Sequence, residues 1–510
     1  MKPIQQSIEE HIQKSSVKGG SLESDIHEAC FNNDDEKVTI LLSNKAREID
    51  THQLNRDGSL LIAIANENVK IVGELLKIGC NPNVTNEMKD SALFIAFING
   101  NIQIINLLLQ YGANIGDALI LAIWRVNADV VKKILEFGIN LNQVEDAIGQ
   151  SALRIAIERN NLLIVKLLLE HGADPNHIGK LWRLPIHCTT KSEIITELLK
   201  YGAEVDSVDN VQMTPLMNAL NWKNFGNAKI FLEHGANINH CRNDGRNALH
   251  EASSTGNIET IEFLLKHGAN IDAIDNENFT PLHIAARMYG KIQPDTVKIL
   301  LENGANPNLK DLELNTCLHY AAVGGNLEIV GLLLKHVTDI DLVNNMNCSA
   351  LHLATTYGHV EVVKLLLQRG ANPNLKDINL NTGLHHAAIR GNLEIVDLFL
   401  KQVADIDLVN NENRSALHLA TRNLRVDVVK LLLQKGADPN LKDIHLKTCL
   451  YQAAYCGRYI LRRLLRLYFE NAAYLDLFIR DYDGKTIFED ALNEKDVQIM
   501  KMMAFHQNAL

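Results

Sequence analysis

The sequence predicts an all-α solenoid, in which one helix–turn–helix unit is stacked many times with a projecting β-hairpin-like loop between units. Three observations predict it. Six histidines, His250, His283, His319, His352, His385 and His418, recur at gaps of 33 residues, with one gap of 36. Each sits in the same phrase, as in Thr280-Pro281-Leu282-His283-Ile284-Ala285-Ala286 and Ser349-Ala350-Leu351-His352-Leu353-Ala354. Glycines recur in step, at Gly79, Gly112, Gly138, Gly172, Gly202, Gly235, Gly268, Gly304, Gly370 and Gly436. Self-similarity at a period near 33 marks a supersecondary unit that cannot bury its apolar face alone and must stack on its neighbours.

Residues 344–374 show one unit. Asn344-Asn345-Met346-Asn347 is turn chemistry, because Asn tolerates left-handed backbone angles. Ser349 opens a short helix through Ala350, Leu351, Leu353 and Ala354, whose small residues let neighbouring helices approach. Gly358-His359 breaks it. Val360, Val362, Val363, Leu365, Leu366 and Leu367 supply the apolar face of a second helix. Gly370 caps that helix, since glycine takes the left-handed conformation without Cβ strain. Ala371-Asn372-Pro373-Asn374 leads into the next turn.

This pattern resembles the ankyrin repeat, whose signature includes T-P-L-H-x-A-A and a later G-A-D-x-N. The matches are Thr214-Pro215-Leu216, Thr280-Pro281-Leu282-His283, Gly172-Ala173-Asp174-Pro175-Asn176 and Gly436-Ala437-Asp438-Pro439-Asn440, with Gly235-Ala236-Asn237-Ile238-Asn239 and Gly268-Ala269-Asn270-Ile271-Asp272 close to them. The resemblance covers roughly residues 25–500, about fourteen units at the known repeat length. It implies an all-α ankyrin-repeat solenoid, a curved array that holds protein partners on its concave face and loop tips.

Taken in order, residues 1–24 are polar and read as a flexible N-terminal arm. Residues 25–52 keep an apolar helix pair without the signature and read as an N-terminal capping repeat. Residues 53–240 are degenerate repeats. The interval from Gly112 to Gly138 is seven residues short, and the missing part falls before Ala118-Leu119, where a projecting loop should stand. The binding surface is therefore expected to be interrupted near residue 116. The interval from Gly172 to Gly202 is three short, with the loss expected between the helices around Thr190-Lys191.

Residues 241–468 are regular repeats. The unit of His283 is three residues longer than the common period, with the excess within Arg287–Pro294. Residues 309–374 and 375–440 are near copies, so a two-repeat block was duplicated in tandem. Leu309-Lys310-Asp311 matches Leu375-Lys376-Asp377, and Asp339-Ile340-Asp341-Leu342 matches Asp405-Ile406-Asp407-Leu408. A third copy starts at Leu441-Lys442-Asp443 and decays after Thr448-Cys449-Leu450. Val337 and Val403 stand where other units end a helix with Gly. A β-branched residue is poor in the left-handed region, so a different helix ending is expected there. Residues 469–510 read as a C-terminal capping repeat that restarts at Asp481-Tyr482-Asp483-Gly484.

Composition bounds the function. Hydrophobic residues are 46% and charged residues 22%, the balance of a globular chain. The formal charge of -11 gives no nucleic-acid footprint. Eight scattered cysteines without a CxxC pair fit a reducing compartment. The N-terminal residues lack the apolar run of a signal peptide, and no apolar run is long enough to span a bilayer. A monomer without membrane insertion, in the cytoplasm or nucleus, is expected.

The periodic histidines are the one feature that looks chemical. Catalysis or metal binding would need them together. Ligands on successive units stand about 8–10 Å apart, whereas zinc needs ligands at about 2 Å. The remaining role is a frame role, each His bonding the Ser or Thr three residues earlier and nearby backbone. No Walker-type loop, G-x-S-x-G or HExxH occurs. The reading is a protein without catalytic residues, cofactor or metal. Arg458, Arg462, Arg463 and Arg466, beside Tyr459 and Tyr468, read as a solvated helix face.

Function is then expected at loop tips and exposed ends of first helices. The duplication points to positions there: Glu313 becomes Asn379, Gly324 becomes Arg390, Met346 becomes Glu412, Cys348 becomes Arg414, Thr356 becomes Arg422 and Tyr357 becomes Asn423. The frame pairs Leu318/Leu384, His319/His385, Leu351/Leu417 and Val363/Val429 are unchanged. Unconstrained drift gives the same pattern, and Glu361/Asp427 and His336/Gln402 have changed off that face, so both readings stay open. The candidate partner-binding set adds Arg242, Asn243, Asp244, Arg246, Glu277 and Phe279 from the preceding units. A protein-binding scaffold or adaptor results. The alternatives are a substrate-targeting subunit of an E3 ligase, a host-directed effector, and a tether at the membrane skeleton.

Overall fold

Short helices with strong caps give each unit its shape. First helices run seven or eight residues in Pro281–Arg287, Cys317–Gly324, Ala350–Tyr357 and Gly383–Arg390. Second helices run nine in Ile258–Lys266, Val360–Gln368 and Val426–Gln434. The computed structural model describes residues 21–45, 49–52, 58–179, 183–287, 294–454, 458–471, 475–486, 489, 501 and 504. The expected N-terminal arm over 1–20, the excess residues 288–293 and nearly all of the C-terminal capping repeat after residue 489 lie outside the described residues.

Isolated helices this short are marginal in water, so packing holds them. Val362, Val363, Leu366 and Leu367 are buried along one stripe of Val360–Gln368. First helices turn small residues toward their neighbours, and Ala321, Ala354, Ala387 and Ala420 are fully buried. Contacts divide the chain into residues 1–237 and 238–510. Within each unit, first helices pack on first helices and second helices on second helices, which makes two layers.

From Asp275 onward, the loop tips are Asx turns. The buried Asp311 accepts from the N–H groups of Glu313 and Asn315, and Asp377 from those of Asn379 and Asn381. Asn344 and Asn410 do the same in the tips between. Successive tips are joined by backbone bonds in register: Leu312 to Glu277, Asn345 to Glu313, Ile378 to Met346, Asn411 to Asn379, Ile444 to Glu412 and Tyr482 to His445, each N–H donating to the carbonyl named second. The last of these places the turn at Asp481 as a further tip. A second row of bonds follows each helix-ending Gly. Asp272 accepts from the N–H of Asn306, Asp341 from that of Asn372 and Asp407 from that of Asp438.

The ten recurring glycines are all left-handed, as in Gly370 at φ +90°. Val337 and Val403 are not. The helices before them end early, at Leu327–Leu333 and Leu393–Leu400, and the valine N–H groups bond Leu333 and Phe399.

Residues 1–237 contain the two shortened intervals. After Gly112 only Ala113 and Asn114 precede the helix Ile115–Trp124, which Asn114 caps, so the projecting loop is missing where the spacing places the loss. The other deletion removes helix, not linker. The first helix of that unit is a single 3-10 turn, Pro185–Cys188, and the second helix starts at Ser192. The lost helical turn leaves a cavity of about 430 Å³ beside His187, Asn218 and Trp222.

Candidate protein-binding surface

The histidines build the frame that positions this surface. His319 Nδ1 accepts the N–H of Thr316, and its Nε2 donates to the Cys348 carbonyl in the next unit. His283, His352 and His385 repeat the pattern through Thr280, Ser349 and Thr382 and the carbonyls of Asn315, Leu375 and Arg414. His250 does so through Asn247 and Phe279. His418 makes the first of these bonds with Ser415. The pattern needs the neutral ring with its proton on Nε2. Burial pushes His319, His352 and His385 down to about 4. No group of three or more His, Cys, Asp or Glu among the described residues is placed to hold a metal ion.

The candidate residues fall into clusters on this frame. Asn243 and Asp244 are exposed at one tip, while Arg242 and Arg246 are half-buried there. Arg242 bonds Asp244 at 3.1 Å and Arg246 bonds Asp275 at 3.1 Å. Glu277 and Glu313 are exposed on neighbouring tips and line a cavity of about 290 Å³ with Phe279, Arg287, Asp311 and Tyr320. The Arg287 guanidinium lies 5.1 Å from the Phe279 ring and 5.5 Å from the Tyr320 ring. Tyr357 and Arg390 are exposed on adjacent first-helix ends, and Arg390 Nε is 3.7 Å from where a Cβ on Gly358 would stand. Met346, Asn379 and Arg422 are exposed too.

Other candidates belong to the frame. Phe279 is buried at 5% exposure, between His283 and Tyr320. Arg414 is buried at 7%, where it pairs with Glu412 and lies 3.5 Å from Asp443. An outward role for either is therefore not what the packing gives. The Thr356 hydroxyl donates to the His352 carbonyl and bonds His386. The half-buried Asn423 donates to the Leu419 carbonyl. Half-buried Cys348 has its thiol pushed up to about 11, by burial and then by Asp377.

Sequence reasoning missed three features. Arg287 and Tyr320 complete the aromatic cavity, and only the pairing of Tyr320 with His386 across the duplication hints at it. In residues 1–237, Trp124 is 42% exposed under the Arg159 guanidinium, and Trp222 is 80% exposed. Trp222 occupies the helix-end position of Tyr357 and Trp124 the position before it, that of Thr356, a signal readable from the period. The third is a set of exposed leucines and isoleucines at alternate tips.

A frame of stacked helix pairs, hairpin tips and variable exposed helix ends defines a repeat protein built to present surface. A family model described as ankyrin repeats, in a three-copy form, matches residues 26–118, 116–178, 228–311, 282–377 and 372–443. These segments take in well over half of the chain, which belongs to the ankyrin-repeat family. The unmatched stretch 179–227 holds the unit with the shortened first helix. A search of curated proteins gave no match. Ankyrin repeats are generally protein–protein interaction modules, and the family is typically non-enzymatic. Among the described residues no helix is long and apolar enough to cross a membrane.

Proposed function

We propose that this chain is a scaffold or adaptor that holds protein partners on the tips and first-helix ends of residues 242–423. One observation carries the reading: the exposed Tyr357 and Arg390 are polar side chains that the frame's hydrogen bonds do not use. The frame's His, Asp and Asn side chains are tied into caps and bonds between units, whereas Tyr357 and Arg390 stand exposed with no hydrogen bond or ion pair among the described residues. Aromatic and Arg side chains on a preformed surface are the usual anchors of protein interfaces, and little ordering entropy is lost on docking.

The test is recovery of native-cell partners on the full chain. Tyr357→Ala with Arg390→Glu is expected to reduce recovery at least about tenfold, the loss of one good anchor. Lys364→Glu with Lys430→Glu, exposed on second helices, is expected to leave it unchanged. Full recovery with the first pair, or loss with the second, removes the proposal.

A further inference from the structure

Alternate tips of residues 238–510 carry apolar pairs that the frame does not use. These are Leu312 with Leu314, Ile378 with Leu380, and Ile444 with Leu446, each 44–63% exposed. The second member of each pair is left-handed, at φ +62°, +61° and +59°, a strained region for leucine. The tips between them place asparagine there, Asn347 and Asn413. Those side chains donate to the Lys376 and Lys442 carbonyls of the next tip. The leucines forgo both the easier backbone and the bond between tips.

The internal copies show which property is kept. The first apolar position changes from Leu312 to Ile378 and Ile444 but stays aliphatic. The second, Leu314, Leu380 and Leu446, does not change. The residue between them goes from Glu313 to Asn379 to His445, and the residue after them from Asn315 to Asn381 to Lys447. Free drift at an exposed turn gives no reason for the aliphatic positions to hold while their neighbours change charge.

We propose that these three alternate tips dock an acidic amphipathic helix of a partner protein, whose apolar side chains recur every two heptads. This rests on the protein-binding reading and names the partner's chemistry. Each hairpin tip adds two strand widths, so alternate tips stand about 20 Å apart. Two heptads of helix rise about 21 Å. A lysine precedes each pair by two residues, Lys310, Lys376 and Lys442. The aspartates beside these lysines are buried and turned to Tyr320, His386 and Arg414. None of the three lysines has a carboxylate within ion-pair distance among the described residues, so acidic side chains of a partner fit beside them. A second copy of this chain is disfavoured, because separated pairs do not make the contiguous patch of about 800 Å² per partner that a stable dimer buries. An anionic membrane is disfavoured as well. A flat surface meets every tip at once, including the intervening tips with Glu412 and Asp483, whereas a helix seated on the alternate tips can set its charges opposite the lysines.

The experiment uses the full chain and a synthetic glutamate-rich helix of six heptads with leucine pairs every two heptads. A peptide of the same composition, with pairs every one and a half heptads, is the spacing control. Vesicles rich in phosphatidylserine are the membrane control. The variant is Leu314→Asn, Leu380→Asn and Leu446→Asn together, which copies the chemistry of Asn347 and Asn413. The parent is expected to bind the first peptide at least tenfold more tightly than the control peptide or the variant does. The variant is expected to gain about 2–4 °C in Tm as strain is relieved. Equal binding by parent and variant, indifference to spacing, no binding by the parent, or preference for vesicles overturns the proposal. A lower Tm in the variant also overturns it, since the leucines would then be frame residues. If Tyr357→Ala with Arg390→Glu loses native partners while the leucine variant keeps them, the scaffold reading stands and this one falls.

Discussion

Residues 309–374 and 375–440 are one block written twice, and their differences come in compensated sets. In the core, the buried Cys317 and Leu333 of the first copy correspond to Gly383 and Phe399 of the second, where Gly383 faces the Phe399 ring. A Cβ on Gly383 would stand 2.2 Å from the Phe399 ring. A smaller residue at the first position accompanies the larger ring at the second. Beside the tips, Tyr320 donates to Asp311, whereas His386 bonds Asp377 at 2.9 Å. Between units, His359 donates to the Val323 carbonyl, whereas Arg425 donates to that of Ile389. At the tips, Met346 and Cys348 give way to Glu412 and Arg414, which pair with each other. Two of the six divergent positions therefore changed together, for a reason inside the chain. Divergence at the surface is not by itself a binding signal: Tyr357 stacks on the His359 ring, and the side chains left without such a pairing include Arg390 and the aliphatic tips.

Acid should break what the two copies share before it breaks what separates them. His319, His352 and His385 sit near 4 because burial penalises the charged ring. Their unfolded value is about 6.5. The unfolded chain therefore binds more protons between these values, so the stabilisation is whole above about pH 6.5 and is lost as pH falls through about 4. Each tenfold loss of proton affinity on folding corresponds to roughly 1.4 kcal/mol, so the three histidines together give the largest expected effect. Urea unfolding between pH 7 and 4 should show a falling midpoint, and a flat midpoint would sink the neutral-histidine frame.

The core exchange should be tested next. Gly383→Cys, which copies the other block, is expected to destabilise by about 2–3 kcal/mol through overpacking. Adding Phe399→Leu should restore most of that loss. Additive losses in a double-mutant cycle would show that the pair is not compensating.

The smallest effect concerns the polar pair beside the tips. Asp377 sits at about 2; burial alone would raise it, but the His386 bond and the Asn381 N–H outweigh burial. Its contribution is present above about pH 3.9 and is lost as pH falls through about 2. His386→Ala should move Asp377 toward the ordinary carboxylate range and cost about 1 kcal/mol. Carboxyl resonances followed by NMR would show the move, and an unshifted Asp377 would leave the Asn381 side alone responsible.

Much of the frame was legible because it is repeated. The ten glycines, the Asn-rich turns and the Thr-x-x-His phrase each recur at one period, and local chemistry fixes what each does. The missing loop before Ile115 followed from counting residues. The shortened helix did not. Spacing shows that three residues are gone around Thr190, but whether linker or helix gives way depends on how Pro185–Cys188 packs against Ala152–Glu158 and Ser192–Lys200. The candidate surface was legible as a zone and less so residue by residue. Phe279 and Arg414 occupy tip positions in the sequence, yet neighbouring units cover them.

The sequence by itself determined the unit, its period, its caps and the tandem duplication, because these depend on backbone preferences and apolar periodicity within some thirty residues. Tertiary structure alone decided which side chains remain available. The bond from Thr356 to His386, the pair of Arg414 with Asp443 and the ladder joining the tips all link residues about 30 apart, and their formation depends on how one unit sits on the next.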